Sequence, residues 1–340
     1  MEVATVQLRM VAATSMLLVS VDFPNFPFQT ALFGVALNVL ITTSLFARFK
    51  MNNGFLNICM VKSIANNIIC IGFLIWPVPI TYLNFYYLPE FYNVLAGQII
   101  GWFAWTYTPT TQILLAGNRL AAVYFPQEYH SKYRYPPNRI FLSIIFVLSC
   151  IMMAPGFLDG CGFTYVLEYL SWTPEPSPCS RRLSAFFTYS AFTMSFISNT
   201  FNFIVFFKLV GDAKTVKISS VQHQNRQRRR RRMLFQSCCQ DIIIAIDTFN
   251  TTYAWNFYPA LWFQFLVCSY SRVLARTLEG LVMVLVNEAI RDAIRIKINE
   301  KNVEKATSST TNASSSMLNF SKNIIASNRF NVDRLNNSGF

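Results

Sequence analysis

The stretch GWFAWTYTPTTQILLAGNRLAAVYFPQEY, residues 101–129, decides how this chain is interpreted. Its first 25 residues contain one charge, Arg119, and at ~1.5 Å per residue they are long enough to cross a hydrocarbon core of ~30 Å. Arg119 lies six residues before the end of that run, and an arginine at such a depth is costly. Two explanations stay open: the side chain reaches the headgroups, or it has a partner or a function inside the protein.

The composition is that of a membrane protein rather than a soluble globule, because 53% of the residues are hydrophobic and only 13% are charged. The net charge of +13 would also fit a nucleic-acid-binding protein, but apolar runs of membrane length make topology the simpler explanation, and no nucleic acid is expected. The chain has two histidines and no GxGxxG, P-loop, HExxH or GxSxG signature. No metal site, cofactor or enzyme activity is therefore predicted.

The apolar runs predict an all-α membrane protein, a bundle of seven transmembrane helices. Their bounds are 28–49, 55–78, 101–125, 140–157, 183–210, 233–255 and 262–286. Residues 1–27 are expected to form an N-terminal tail. Its apolar stretch 10–21 has the size of a signal-peptide core, but no clear small-x-small cleavage site follows, so an uncleaved tail is favoured.

After the seventh run, residues 287–298 read as a short amphipathic helix lying in the inner interface, which completes a seven-transmembrane domain over 28–298. Residues 299–340 are rich in serine, threonine and asparagine and are expected to be a disordered cytoplasmic tail. Lysine and arginine concentrate in the loops after runs one, three and five, including six arginines within 226–232. The positive-inside rule then places the N-terminus outside and the C-terminus inside.

The third run has a polar face. Counting back from Arg119 by 7, 11, 14 and 18 residues gives Gln112, Thr108, Trp105 and Gly101 on one side of a helix. This face is expected to point into the bundle, with Pro109 offering a kink beside it. The face serves either to pack helices together or to contact a ligand.

Polar residues also occur in the first two runs. Asn38 is expected to hydrogen-bond to another helix, and Asn66 lies at a similar depth in the second run. Lys62 lies about one and a half turns into its run and is expected to snorkel to the interface.

Runs six and seven together carry five charges, Asp241, Asp247, Arg272, Arg276 and Glu279. Counting ~1.5 Å per residue from the inner ends of the runs puts Asp241 level with Arg276 and Glu279, and Asp247 level with Arg272. The prediction is two ion-paired rungs between helices six and seven. The alternative is a proton or ion path, as in transporters.

Cys161 and Cys179 are the two cysteines outside the apolar runs. In an external loop a disulfide between them is chemically reasonable, although the sequence leaves its geometry open.

Taken together, a set of short motifs resembles the nematode serpentine chemoreceptors of the Srx class, a divergent branch of the rhodopsin-like G-protein-coupled receptors. The resemblance covers residues 28–298. The motifs are Asn38, Ser63-Ile64-Ala65-Asn66, Asn118-Arg119 followed by Pro126 and Tyr129, Gly160-Cys161, Pro178-Cys179, Gln236-Ser237-Cys238, Gln240-Asp241, Leu278-Glu279-Gly280 and Asn287-Glu288.

The resemblance implies a switch for G-protein coupling formed by Asn118, Arg119, Pro126 and Tyr129, with Asn118 in place of the family's usual acid. It also implies that the missing helix-three cysteine is replaced by a Cys161–Cys179 bridge. The implied partners are a heterotrimeric G protein, an external small molecule and the lipid bilayer, with an arrestin on the tail. The implied location is the plasma membrane, in sensory neurons the ciliary membrane.

The leading interpretation is a chemosensory receptor without chemistry of its own. A ligand is expected near Trp105, Thr108, Gln112, Tyr189 and Tyr253, and its binding is expected to open the inner face around Arg119. The alternative is a transporter or channel that uses the charges of runs six and seven, although no internal repeat is visible.

Overall fold

The structure is a computed structural model that describes residues 25–46, 54–125, 138–215, 221–288, 290–292 and 294–295. The predictions made for residues 10–21, for Pro126 and Tyr129, and for the 299–340 tail lie outside these ranges. The described residues are mostly helical. The helices are α1 (Asn25–Phe46), α2 (Gly54–Ile75), α3 (Pro77–Leu83), α4 (Glu90–Gly97), α5 (Ala104–Tyr124), α6 (Asn138–Met153), α7 (Pro178–Thr215), α8 (Val221–Thr252), α9 (Leu261–Gln264) and α10 (Ser271–Val286).

Several of these helices join end to end. A π-helical turn, Gln98–Phe103, links α4 to α5, and a second, Phe265–Tyr270, links α9 to α10. A 3₁₀ turn, Ala154–Phe157, extends α6. Because a π-helical turn changes the phase of a helix, the residues before it do not share the face predicted from a constant 3.6-residue period.

The second helical segment extends past residue 78, where the sequence predicts the end of the second run. The chain breaks its regular helix at Trp76 and continues as α3, whose first residue is Pro77. Proline is well tolerated there because the first helical residues have no intrahelical partner for their N–H groups. The segment ends at Asn84, whose φ of 57° lies in the left-handed region.

The third helix also begins earlier than predicted, at Glu90 rather than at Gly101. Pro89 precedes this start, and the Glu90 carboxylate in the first turn suits the positive end of the helix dipole. The sequence predicts a loop over Leu88–Asn93, whereas the last four of these residues form the first turn of this helix.

Four described helical segments are long and apolar enough to cross a membrane. They are Asn25–Phe46, Gly54–Leu83, Asn138–Phe157 and Pro178–Gly211. The predicted third, sixth and seventh spans are more polar because they carry Arg119, Asp247 and Arg276, which are all buried. A helix that keeps its polar side chains inside a bundle needs apolar residues only on its outer face.

A small β-hairpin covers one end of the bundle, which we call the hairpin end. Strand β1 (Phe163–Val166) pairs antiparallel with β2 (Ser171–Pro174), and Phe163 lies opposite Pro174. A disulfide between Cys161 and Cys179, the pair considered in the sequence analysis, ties the start of β1 to the first turn of α7. The hairpin is therefore anchored covalently as well as by packing.

The hairpin is hydrogen-bonded into the bundle by Asn93 of α4. Its amide nitrogen donates to the carbonyl oxygen of Tyr165 at 2.9 Å, and its oxygen accepts from the Tyr165 N–H at 3.0 Å and from the indole of Trp76 at 2.8 Å. The Tyr165 side chain is fully buried against Thr81, and this burial raises the pKa of its phenol.

Two glycines of the third helix make room for the hairpin. A Cβ atom on Gly97 would lie 1.5 Å from the carbonyl oxygen of Phe163, and one on Gly101 would lie 2.3 Å from the Phe163 ring. This close approach lets Phe163 pack on Trp102 at 4.6 Å between ring centroids, and Trp102 stacks on Phe187 at 4.5 Å. The hairpin end is thus filled by aromatic side chains.

The opposite end, called the Arg119 end, is closed by aliphatic side chains and by the helical residues after α10. Ile290 and Ile294 are buried in one apolar cluster with Leu45, Phe55 and Met283. The described part of 287–298 therefore packs an apolar face onto the bundle. Ile298, the last residue of the predicted amphipathic helix, lies outside the described residues.

Candidate functional site

A chain of four buried charges crosses the middle of the bundle. The Lys62 ammonium of α2 lies 3.4 Å from Glu279 Oε1 of α10, and Arg276 Nη1 lies 3.3 Å from the same oxygen. Arg276 Nη2 also donates to Asp247 Oδ2 of α8 at 3.0 Å. We call Lys62, Glu279, Arg276 and Asp247 the ion-pair chain. Its charges alternate and sum to zero, so each buried ion has an opposite neighbour.

A neutral branch extends this chain to two more helices. Lys62 Nζ donates to Gln112 Oε1 of α5 at 2.5 Å, and Gln112 Nε2 donates to Ser237 Oγ of α8 at 3.4 Å. Asn202 Nδ2 of α7 lies 3.1 Å from the same hydroxyl and 2.5 Å from Asp241 Oδ2. Polar contacts therefore connect α2, α5, α7, α8 and α10.

This arrangement corrects the predicted rungs. Asp247 pairs with Arg276 rather than with Arg272, and Asp241 accepts hydrogen bonds from Ser198 and Asn202 of α7. The rise count ignored side-chain direction. Side chains lean toward the N-terminus of their helix, and α8 and α10 run in opposite directions, so Arg276 leans toward the hairpin end while Asp247 leans away from it. The two side chains thereby cross an axial offset of ~6 Å.

The interpretation of Lys62 as a snorkelling residue is wrong. Its side chain is 1% exposed and points at Glu279, because α2 buries this face against α5 and α10. The spacing of polar residues around Lys62 does indicate that it faces inward. Ser63 and Asn66 follow Lys62 on adjoining helical positions, and all three are buried, so the polar residues of this helix share the inward face.

The two asparagines predicted for the polar network lie elsewhere. Asn38 donates to the Gly34 carbonyl at 2.8 Å and accepts from the Ser63 hydroxyl at 3.1 Å, which joins α1 to α2. Both polar atoms of the buried Asn66 side chain lack a hydrogen-bond partner among the described residues.

Arg119 is buried at the end of the bundle opposite the hairpin. Its guanidinium lies over the Phe55 ring at 5.3 Å from the centroid, and none of its three nitrogens has a hydrogen-bond partner among the described residues. The neighbouring Asn118 accepts from Asn138 Nδ2 of α6 at 2.9 Å. Burying these donors without acceptors is costly, so an acceptor that reached the Arg119 guanidinium would lower the free energy of this end of the bundle.

The predicted ligand residues do not all come together. Thr108 and Gln112 are buried inside the bundle, and Trp105 is partly buried beneath the hairpin. Tyr189 is 71% exposed on the outside of α7. Tyr253 is half-exposed, and its ring contacts the rings of Phe192 of α7 and Phe249 of α8. The sequence placed these tyrosines by depth alone, and depth does not determine which face of the helix carries them.

Arg272, the remaining charge of the predicted network, stands apart from the ion-pair chain. Its guanidinium carbon lies 5.0 Å from the ring centroid of Trp105, and the residue is 5% exposed. Among the described residues, no group of three histidine, cysteine or acidic side chains is placed to hold a metal ion.

Comparison with known proteins bears on this geometry. A search of the curated proteins finds no match. A family model described as serpentine type 7TM GPCR chemoreceptor Srx matches residues 28–287, which is 260 of the 340 residues. The match confirms the resemblance carried by the short motifs, and its range contains the ion-pair chain, Arg119 and the hairpin. The chain belongs to the Srx family of serpentine seven-transmembrane G-protein-coupled chemoreceptors.

Proposed function

We propose that this chain crosses the plasma membrane seven times, binds a small molecule at the hairpin end outside the cell, and couples to a heterotrimeric G protein at the Arg119 end inside. Membership in a family of chemoreceptors, which are not enzymes, supports the general assignment. The lysines and arginines around the Arg119 end support the orientation.

The observation that carries the proposal is the state of Arg119. The guanidinium is buried next to a phenylalanine ring and has no acceptor among the described residues. An acceptor supplied by a partner protein would relieve that cost, but only if α5 and its neighbours move apart enough to admit it. Arg119 is therefore hidden in the closed bundle and becomes the contact in the open one.

The ion-pair chain and its neutral branch offer a physical connection between the two ends. They join the helices near the hairpin to α8, the helix whose outward movement would expose Arg119. A ligand that prefers a different packing of α5 and α10 would change these contacts and shift the population toward the open bundle. The basic segment 226–232 would then meet the G protein or anionic inner-leaflet lipid.

The test is guanine-nucleotide exchange on purified heterotrimeric G proteins, with the full-length protein in lipid nanodiscs. We expect Arg119→Ala to abolish the acceleration of exchange. Arg139→Ala is the matched control, because Arg139 is an exposed arginine at the same end. Equal exchange rates with wild type and Arg119→Ala would refute the role of Arg119.

The transporter alternative predicts proton-coupled uptake into vesicles, with or without a G protein. The ion-pair chain gives it little support, because its four charges neutralise one another and each carboxylate contacts a cation. Arrestin binding to the tail and a ciliary location in sensory neurons remain part of the proposal through the family alone.

A further inference from the structure

Arg272 is a buried cation that has no ion pair within the part of the chain that the structure describes. The side chain is 5% exposed, its Nη1 atom has no hydrogen-bond partner, and no carboxylate of the described residues lies within 4.0 Å of its guanidinium. The acid predicted to pair with it, Asp247, has both oxygens engaged: Oδ2 accepts from Arg276, and Oδ1 accepts from the Ser271 hydroxyl at 3.3 Å. Ser271 is itself held by Asn250 at 3.0 Å.

A count of the buried charges also indicates that Arg272 has no compensating anion among the described residues. Among the described residues, the buried cations are Lys62, Arg119, Arg272 and Arg276, and the buried anions are Asp241, Asp247 and Glu279. The ion-pair chain uses two cations and two anions. Asp241 lies toward the Arg119 end and is hydrogen-bonded to α7, so it does not offset a charge near the hairpin. Arg272 is therefore the buried positive charge near the hairpin that no described buried anion offsets.

Among the described residues, the ring that lies over this cation is the indole of Trp105. An indole face attracts a guanidinium, but more weakly than a carboxylate does, because a carboxylate brings a full charge and two acceptors that match the guanidinium fork. Trp105 also packs near Phe163 of the hairpin, at 6.0 Å between centroids. The indole thus covers the Arg272 guanidinium and also contacts the hairpin through Phe163.

We infer that the ligand of the proposed receptor carries a carboxylate, and that this carboxylate pairs with Arg272 after displacing the Trp105 indole from the guanidinium. The inference rests on the proposed function, since it names the chemical class of that ligand. Displacing Trp105 also disturbs its contact with Phe163, so ligand binding would change the packing of the hairpin on the bundle. Arg272 is one turn from Arg276, which places the ligand next to the ion-pair chain.

The test measures binding directly on purified full-length protein in detergent micelles. Thermal unfolding is followed with a thiol-reactive dye, because Cys59 and Cys70 are buried in the folded protein. The probes are hexanoate, decanoate and phenylacetate, each compared with its own amide, which has the same shape without the charge. We expect at least one carboxylate to raise the unfolding temperature in a saturable manner, and its amide to need at least about tenfold higher concentration.

Arg272→Gln is expected to weaken the carboxylate by at least tenfold and leave the amide unchanged, whereas Arg272→Lys retains part of the preference. The matched control is Arg182→Gln, an exposed arginine at the hairpin end, which should bind as wild type does. If Arg272→Gln does not fold, the comparison of acid with amide in wild type and in Arg272→Lys still decides.

Three outcomes would overturn the inference: no carboxylate outperforms its amide, Arg272→Gln binds carboxylates as well as wild type, or sodium chloride alone reproduces the stabilisation and loses it in Arg272→Gln. The last result would make the site one for an inorganic anion. Because the assay contains no G protein, failure here leaves the role of Arg119 standing, and failure of nucleotide exchange leaves the binding result standing.

Discussion

Glu279→Gln is the most informative single change in the bundle, because Glu279 is the one carboxylate of the ion-pair chain that contacts two cations. The substitution keeps the size of the side chain and removes its charge. Of the described carboxylates, Arg276 then keeps Asp247 and Lys62 keeps none, although the Gln112 oxygen still accepts from Lys62. The variant leaves the ion-pair chain with one excess positive charge, which remains buried in the bundle.

The size of the effect follows from the distances. At 3.3–3.4 Å and an effective dielectric constant of about 20, each contact with Glu279 is an attraction of roughly 5 kcal/mol. Desolvation offsets much of this in the wild type, but after the substitution the cations remain desolvated without the attraction. Removing one partner of a buried pair typically costs about 3–5 kcal/mol, and we expect Glu279→Gln to fall in that range.

The assay is unfolding of the purified protein by sodium dodecyl sulfate in mixed micelles, followed by tryptophan fluorescence. The matched control is Glu288→Gln, since Glu288 pairs with Arg232 and Arg291 at the surface and its loss should cost less than about 1 kcal/mol. Lys62→Met combined with Glu279→Gln removes a cation together with the anion and should recover at least about 2 kcal/mol of the loss. Additive losses in the double variant, or a Glu279→Gln cost equal to that of Glu288→Gln, would refute the ion-pair chain.

Two further predictions concern the hairpin. Replacing both Cys161 and Cys179 by alanine should lower the free energy of unfolding by about 3 kcal/mol and remove the sensitivity of the protein to dithiothreitol, which is checked by the same titration with and without reductant. Gly97→Ala should force the hairpin away from the third helix, since its Cβ would overlap the Phe163 carbonyl, and limited proteolysis should then cut within 163–174. Gly117→Ala, whose Cβ would have its nearest neighbour at 3.9 Å, should leave the cleavage pattern unchanged.

The predictions that succeed from sequence depend on spacing within one helix. Gln112 and Arg119 are seven residues apart, so a helical period puts them on one face whatever surrounds them, and both are buried. Helical spacing does not predict the role that Gly97 and Gly101 have in the structure. Their role is to admit the Phe163 backbone and ring, and that partner is more than 60 residues away in the chain.

Partners between helices were predicted less well because they depend on where the helix ends lie and which way the side chains lean. The count that put Asp247 level with Arg272 ignored the direction of the side chains, and Asp247 pairs instead with Arg276, one helical turn from Arg272. Lys62 was missed for a related reason. A lysine one and a half turns inside a span can reach the interface as easily as the interior, and only the position of Glu279 on another helix decides between them.

The described cations in the middle of the bundle differ from those nearer its two ends in the groups that they contact. In the middle, Lys62 and Arg276 have carboxylates and hold the helices in one arrangement. Arg272 and Arg119 lie on either side of that arrangement, and each has an aromatic ring in place of an acceptor. A cation that rests on a ring loses little when a stronger acceptor arrives, whereas a cation in an ion pair would have to break that pair first. If a ligand binds at Arg272 and a G protein docks at Arg119, as we propose, neither event requires the ion pairs between these two sites to break.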